Sequence, residues 1–247
     1  MSGHSKWSTI KRQKGVTDAK RSQAFTKIAN AITIAVREGG GGDPASNFKL
    51  RLAIEAARAV NVPKDNIQRS IDRGLGKGGA AAIETVVYEG YGPSKVAIIV
   101  EAATDNKNRT TPEIRGAIEK NGGTFASLGA VSWCFVDVGM ITVAKDGNSL
   151  DDVFEAAVEA GADDVEDAGE SVEVYTKPGD VEKVKNALVE KGFTIQGAEL
   201  FKKPTTTVAI SDKAQAEKVL GFVEKLEDLD DVQKVYSNFD IPDNLLS

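Results

Sequence analysis

The chain has 247 residues, 41% of them hydrophobic and 28% charged, enough for two or three separate cores. Its single histidine and single cysteine exclude an internal disulfide framework and a Cys/His zinc site built from one chain. The net charge of −6 conceals a polarity: residues 1–79 carry 15 Lys/Arg against 6 Asp/Glu, and the remainder 16 against 31. A +9 segment of this kind calls for a polyanion, and nucleic acid is the first expectation.

The opening Met1-Ser-Gly-His-Ser-Lys-Trp-Ser-Thr-Ile-Lys-Arg-Gln-Lys14 has no hydrophobic period and reads as a basic arm. It has no apolar core like that of a secretory signal, and no membrane-length apolar run follows, so a cytoplasmic protein without membrane contact is expected. Beyond Thr17-Asp18, apolar residues at Phe25, Ile28, Ala29, Ile32, Ala35 and Val36 predict a helix, stopped by the glycines at 39–42. A second helix is expected from Asp43-Pro44 through Val60, and a third opens at Pro63. Gly74-Leu-Gly-Lys-Gly-Gly79 reads as a linker, and both glycine runs as hinges. Neither has the spacing of a phosphate loop.

After residue 80 the period changes to that of strands. Strands are predicted at 84–88 and 96–100, a helix at 112–120 capped by Thr111, and a strand at 130–135. Then follow strand 140–143, helix 150–160, strand 165–167, strand 172–175, helix 181–191 and strand 194–201, a βαββαβ order of ferredoxin-like type. A last strand, helix and strand are expected at 207–210, 214–226 and 232–236. The fold class is therefore α+β in three domains: a basic helical domain at 1–79, a discontinuous ferredoxin-like domain at 80–135 plus 205–247, and an acidic ferredoxin-like domain inserted at 136–204. The three later segments, 80–134, 135–204 and 205–247, carry −1, −9 and −5, so the phosphate-facing surface should lie N-terminally. The inserted acidic part is instead a candidate surface for a protein partner.

No catalytic constellation is legible, and no metal or cofactor is expected. The run Asp163-Asp-Val-Glu-Asp167 lacks calcium-loop alternation and reads as a solvated face. The candidate nucleic-acid contacts are His4, Lys6, Trp7, Lys11, Arg12 and Lys14 in the arm, and Lys20, Arg21 and Lys27 on the first helix. Arg69 and Arg73, an i,i+4 pair on the third helix, join them. Lys107 and Arg109 in Asp105-Asn-Lys-Asn-Arg-Thr110 stand before a helix N-terminus, either as a polar turn or as a second phosphate site. Cations of this kind contact phosphates, and the Trp7 ring either stacks on an unpaired base or anchors the arm.

Several ordered motifs carry a resemblance. They include Gly3-His-Ser-Lys-Trp7, Asp18-Ala-Lys-Arg21, Arg37-Glu-Gly-Gly-Gly41, Leu50-Arg-Leu-Ala-Ile54 and Val62-Pro-Lys-Asp-Asn-Ile67. Tyr88-Glu-Gly-Tyr-Gly-Pro93, Thr104-Asp-Asn-Lys-Asn-Arg109, Asn121-Gly-Gly123 and Val131-Ser-Trp133 continue the series. Together they resemble the YebC/PmpR family, which includes the mitochondrial translational activator of cytochrome oxidase subunit I. The resemblance implies three domains, no catalytic residues, and a regulator of gene expression. Bacterial members are labelled probable DNA-binding transcriptional regulators. The mitochondrial relative, and a link to ribosomes stalled on proline-rich sequences, imply instead a translation factor that binds ribosomal or transfer RNA. Val62 stands where Met is common in the family, and Ser94-Lys95 where Gly-Gly is common. A small-molecule sensor or enzyme on the ferredoxin-like modules is the remote alternative.

Overall fold

The computed structural model describes residues 18–77, 79, 82–242 and 245, with side chains from Ser22 onward. Helix α1 (Asp18–Glu38) buries Ile32, Ala35 and Val36 against α2 (Phe48–Ala59) and α3 (Lys64–Gly74). Leu50, Ile54 and Ala57 of α2 and Ile67 and Ile71 of α3 meet them at the helical spacing that the sequence displays, with Val62 added from the turn between.

Three expectations in this part are corrected. Helix α2 begins at Phe48 and not at Asp43-Pro44, because Asn47 is its cap: the buried Asn47 amide accepts from Leu50 N at 3.0 Å and donates to Ala35 O and Gly41 O at 2.8 Å. Residues 39–42 are therefore a fixed turn tied to a capping side chain, and not a hinge. Gly74 is likewise no linker residue. It lies in α3 against α1, where a Cβ would stand 2.6 Å from Val36 Cβ and 2.8 Å from Thr33 O. Gly74→Ala should therefore lower stability by about 1–3 kcal/mol through overpacking, read as a shift in the urea midpoint.

The remaining chain forms two four-stranded antiparallel sheets. One holds β4 (Phe135–Ala144), β5 (Asp164–Asp167), β6 (Ser171–Thr176) and β7 (Ile195–Pro204) in the order β5-β6-β4-β7. Helices α5 (Leu150–Ala160) and α6 (Val181–Glu190) cover one face, burying Ile141, Val143, Val153, Val174, Val184 and Leu188. This is the ferredoxin-like βαββαβ arrangement.

The other sheet joins β1 (Glu84–Tyr91), β2 (Ala97–Thr104) and β3 (Thr124–Ala126) to β9 (Val232–Ser237), which comes after all of the first sheet, in the order β3-β1-β2-β9. Helices α4 (Lys107–Lys120) and α7 (Lys213–Glu227) cover its face through Ile114, Ile118, Phe222, Val223 and Leu226. The strand between β2 and β3 is β1, in the place that the strand after the insertion would take in a βαββαβ order. That later strand, β8 (Val208–Ala209), is only two residues long and pairs in parallel with β10 (Phe239–Asp240).

The expected strand at 130–135 is also absent. Residues 132–134 form a 3₁₀ turn, and the third strand lies earlier, at β3. Helix α4 starts at Lys107 and not at Pro112, since Asn106 caps it by accepting from Asn108 N and Arg109 N. Pro112 sits inside it, forgoing one backbone hydrogen bond.

The turn between β1 and β2 shows what the Ser94-Lys95 pair costs where Gly-Gly is common. Ser94 and Lys95 both have positive φ, 59° and 61°, where an L side chain is strained and glycine is not. Ser94→Gly with Lys95→Gly should raise stability by about 1–2 kcal/mol, and an unchanged denaturation midpoint would disprove the strain.

The helix-free faces of the two sheets pack on each other. Ala97, Ile99 and Tyr236 of one meet Met140, Tyr175 and Phe201 of the other, with Phe201 and Tyr236 edge-to-face at 5.5 Å. Burial, and then the nearby Glu101 carboxylate, push the Tyr236 hydroxyl well above its ordinary pKa, so the tyrosine stays neutral in this seam. The helical part docks across both sheets. Arg51 and Glu55 of α2 meet Glu182 (2.7 Å) and Lys185 (2.9 Å) of α6, while Gln23 of α1 donates to Asp228 O at 2.6 Å.

Candidate nucleic-acid interface

The sequence-derived contacts divide into three groups. His4, Lys6, Trp7, Lys11, Arg12 and Lys14 lie outside the described residues. Lys20 and Arg21 lie on the first turn of α1, where the backbone alone is described. Lys27 donates from its ammonium to the Glu227 carbonyl at the end of α7, so it holds α1 against the second sheet. Arg37, the last cation of α1, is spent in the same way on Ile83 O at 2.8 Å.

On α3, Arg69 and Arg73 share a spacing but not an environment. Arg69 is exposed, whereas Arg73 is half-buried beside the α1 crossing, and its buried Nε makes no hydrogen bond among the described residues. The helical part also exposes two cations that sequence reasoning missed. Arg58 ends α2 and Lys64 opens α3, on either side of the Val60–Pro63 turn. Both are exposed, and neither they nor Arg69 has an ion-pair partner among the described residues. Their signal in the sequence was the position next to the Asn61-Val-Pro63 break. By contrast Lys49 pairs with Glu38 at 3.3 Å, Arg51 with Glu182, and Lys77 with Asp72 at 3.2 Å.

Helix α3 turns Lys64, Asp65, Gln68 and Arg69 to solvent while Ile67, Ser70 and Ile71 face the core. Its N-terminus has no side-chain cap, so first-turn N–H groups remain beside Lys64, a setting that favours anions although Asp65 partly offsets it. Helices α2 and α3 are thus joined by a four-residue turn, and both pack on α1.

At the other candidate, Lys107 pairs with Glu84 at 2.8 Å, and Arg109 bridges Asp105 at 3.3 Å and Asp231 at 2.8 Å. Burial raises the Asp231 pKa, but hydrogen bonds from Arg109 and Thr110 outweigh it and hold the carboxyl below its ordinary value. Two cations against three carboxylates leave no net positive charge here. Replacing Lys107 and Arg109 with alanine should therefore leave the salt dependence of nucleic-acid binding unchanged. A shallower slope would restore the site to the interface.

In the acidic part, Asp164 pairs with Lys203 at 2.6 Å and Asp167 with Lys145 at 2.9 Å, so these carboxylates join strands. Among the described residues no three metal-ligating side chains converge, and no helix is long and apolar enough to cross a membrane.

Residues 5–77 match the model of the TACO1/YebC protein N-terminal domain, and residues 83–239 that of the TACO1/YebC second and third domain. The chain belongs to the TACO1/YebC family. Among its relatives is a protein of Roseiflexus castenholzii named "Probable transcriptional regulatory protein", 53% identical over 99% of this chain and 97% of that one. A Dictyoglomus thermophilum protein of the same name is 49% identical over 100% and 98%. The crystal structure of a conserved hypothetical protein, Aq1575 of Aquifex aeolicus, is similar with a TM-score of 0.84 and 42% identity. The match covers 92% of this chain and 93% of that one. The two family models thus divide the chain as the fold does, into a helical part and a two-sheet remainder.

Proposed function

We propose that this protein is a non-enzymatic, nucleic-acid-binding regulator of gene expression, acting on DNA as a transcriptional regulator. Its helical part and the basic arm ahead of it hold the polyanion. The observation that carries this reading is that Arg58, Lys64 and Arg69, on the one segment of the chain with net positive charge, are exposed and have no ion-pair partner among the described residues. Phosphate contacts supply most of the affinity of such a surface, and Gln68 and Arg69 are residue types that read base edges from a helix in a groove. The relatives' name supports the regulatory role.

The test is ultraviolet crosslinking in cells with sequencing of both the DNA and the RNA recovered. Discrete promoter DNA is the expected outcome. Enrichment of ribosomal or transfer RNA in its place would overturn the DNA reading and make the same surface that of a translation factor on the ribosome.

A further inference from the structure

The loop at residues 127–134 follows β3 and is held more firmly than its lack of regular structure implies. The Glu89 carboxylate, 3% exposed, accepts from Gly129 N at 2.9 Å, Val131 N at 2.7 Å and Ser132 N at 3.1 Å. At the loop's far end, Thr205 donates from N (2.7 Å) and Oγ1 (3.0 Å) to Cys134 O. Val131 and Cys134 are buried in the seam between the sheets.

This fixed loop turns apolar side chains outward: Trp133 is 69% exposed and Leu128 72%. The Trp133 indole N–H donates to Ala130 O at 3.0 Å, and the Tyr91 hydroxyl reaches the same oxygen at 3.2 Å. Two aromatic side chains are thereby pinned by their polar atoms to one carbonyl.

We propose that this loop is a stacking platform for an unpaired nucleobase, with the Trp133 indole as the surface on which the base lies. The inference rests on the nucleic-acid reading above and adds a second point of contact remote in sequence from α3. Three convergent backbone N–H groups would ordinarily make a nest for phosphate, but Glu89 already fills that nest. The one polar atom of the indole is also spent. What the loop offers is therefore flat apolar area, and every base has a π-face that such area accepts regardless of sequence. Residues 127–134 bear no charge, so nothing on the loop itself repels a polyanion. A platform that is already ordered loses little conformational entropy when a ligand arrives.

The chain's two tryptophans allow a direct test. In full-length protein carrying Trp7→Phe, Trp133 is the sole indole. A fluorescein-labelled 20-nucleotide oligothymidine reports binding by anisotropy, and the unlabelled strand reports contact by indole quenching. Quenching should saturate together with anisotropy. Adding Trp133→Ala should weaken binding roughly 5- to 150-fold, the range for removal of one stacked base, while Trp133→Phe recovers most of it.

Binding by anisotropy with an unquenched indole and an unaffected Trp133→Ala variant would overturn the platform and leave the proposed function standing. No binding to this strand or to duplex DNA would overturn both. Quenching by an arginine-rich peptide but not by the oligonucleotide would overturn it in favour of a cationic protein partner.

Discussion

Reversing Lys64 and Arg69 together, as Lys64→Glu with Arg69→Glu, is expected to weaken nucleic-acid binding at least tenfold at 0.1 M salt. The slope of log affinity against log salt should flatten by about 1.4–1.8, because each phosphate left without its cation removes roughly 0.7 on single strands and 0.9 on duplex. Neither side chain has an ion-pair partner among the described residues, and both project away from the core of α1, α2 and α3. The fold should therefore survive, and an unchanged circular dichroism melt is the control. A steady slope with intact folding would move the interface off α3 and on to the arm. A slope that flattens only on duplex DNA would mark α3 as a groove-entering element.

Glu89→Ala is expected to cost about 2–4 kcal/mol. It removes the acceptor of three backbone N–H groups, that of Val131 buried and those of Gly129 and Ser132 on exposed residues, and hydrogen bonds to a charged acceptor are each worth about 1.5–3 kcal/mol without adding fully. Glu89→Gln should lose nearly as much, since an amide oxygen is a weaker acceptor and its NH₂ would face the donors.

The pH dependence has a definite sign. Burial raises the Glu89 pKa, but the N–H bonds from Gly129, Val131 and Ser132 outweigh it, and the folded carboxyl lies below its ordinary value near 4.5. Its stabilisation is therefore complete above about pH 4.5 and falls away as the pH drops through the lowered folded value. Urea midpoints measured from pH 7 downward should converge for wild type and Glu89→Gln at the acid end. Midpoints that stay parallel would show that the carboxylate is not the group responsible.

The helices and the strands of the first sheet were legible because each has enough residues for its period to show. The spacing of Ile32, Val36, Leu50, Ile54, Ile67 and Ile71 needs no tertiary information. The second sheet was harder. β3 has three residues, too few for alternation, while Val131 and Cys134 imitated a strand because both are buried in the seam. Placing β1 between β2 and β3 is a matter of long-range pairing that no local pattern encodes.

The candidate interface was legible as a total of charge, but not side chain by side chain. Lys27, Lys107 and Arg109 are bound to partners 200, 23 and 122 positions away, and nothing nearby announces those pairings. Glu89 and the outward Trp133 went unseen for the same reason. A carboxylate on a strand reads as solvent-facing until the loop 40 residues later folds over it.

The pairing of β2 with β9 sets the order in which a ribosome can release this fold. When β2 emerges, the strand that will close its open edge lies roughly 130 residues further along, a wait of roughly 7–25 s at ordinary elongation rates. The intervening residues contain every strand of the acidic ferredoxin-like sheet, so that unit can close while the earlier one still has a bare edge. Through that interval Ile99 on β2 can already shelter against Met140 and Phe201. Once formed, that unit can cover one face of the unfinished sheet until β9 arrives to seal the edge.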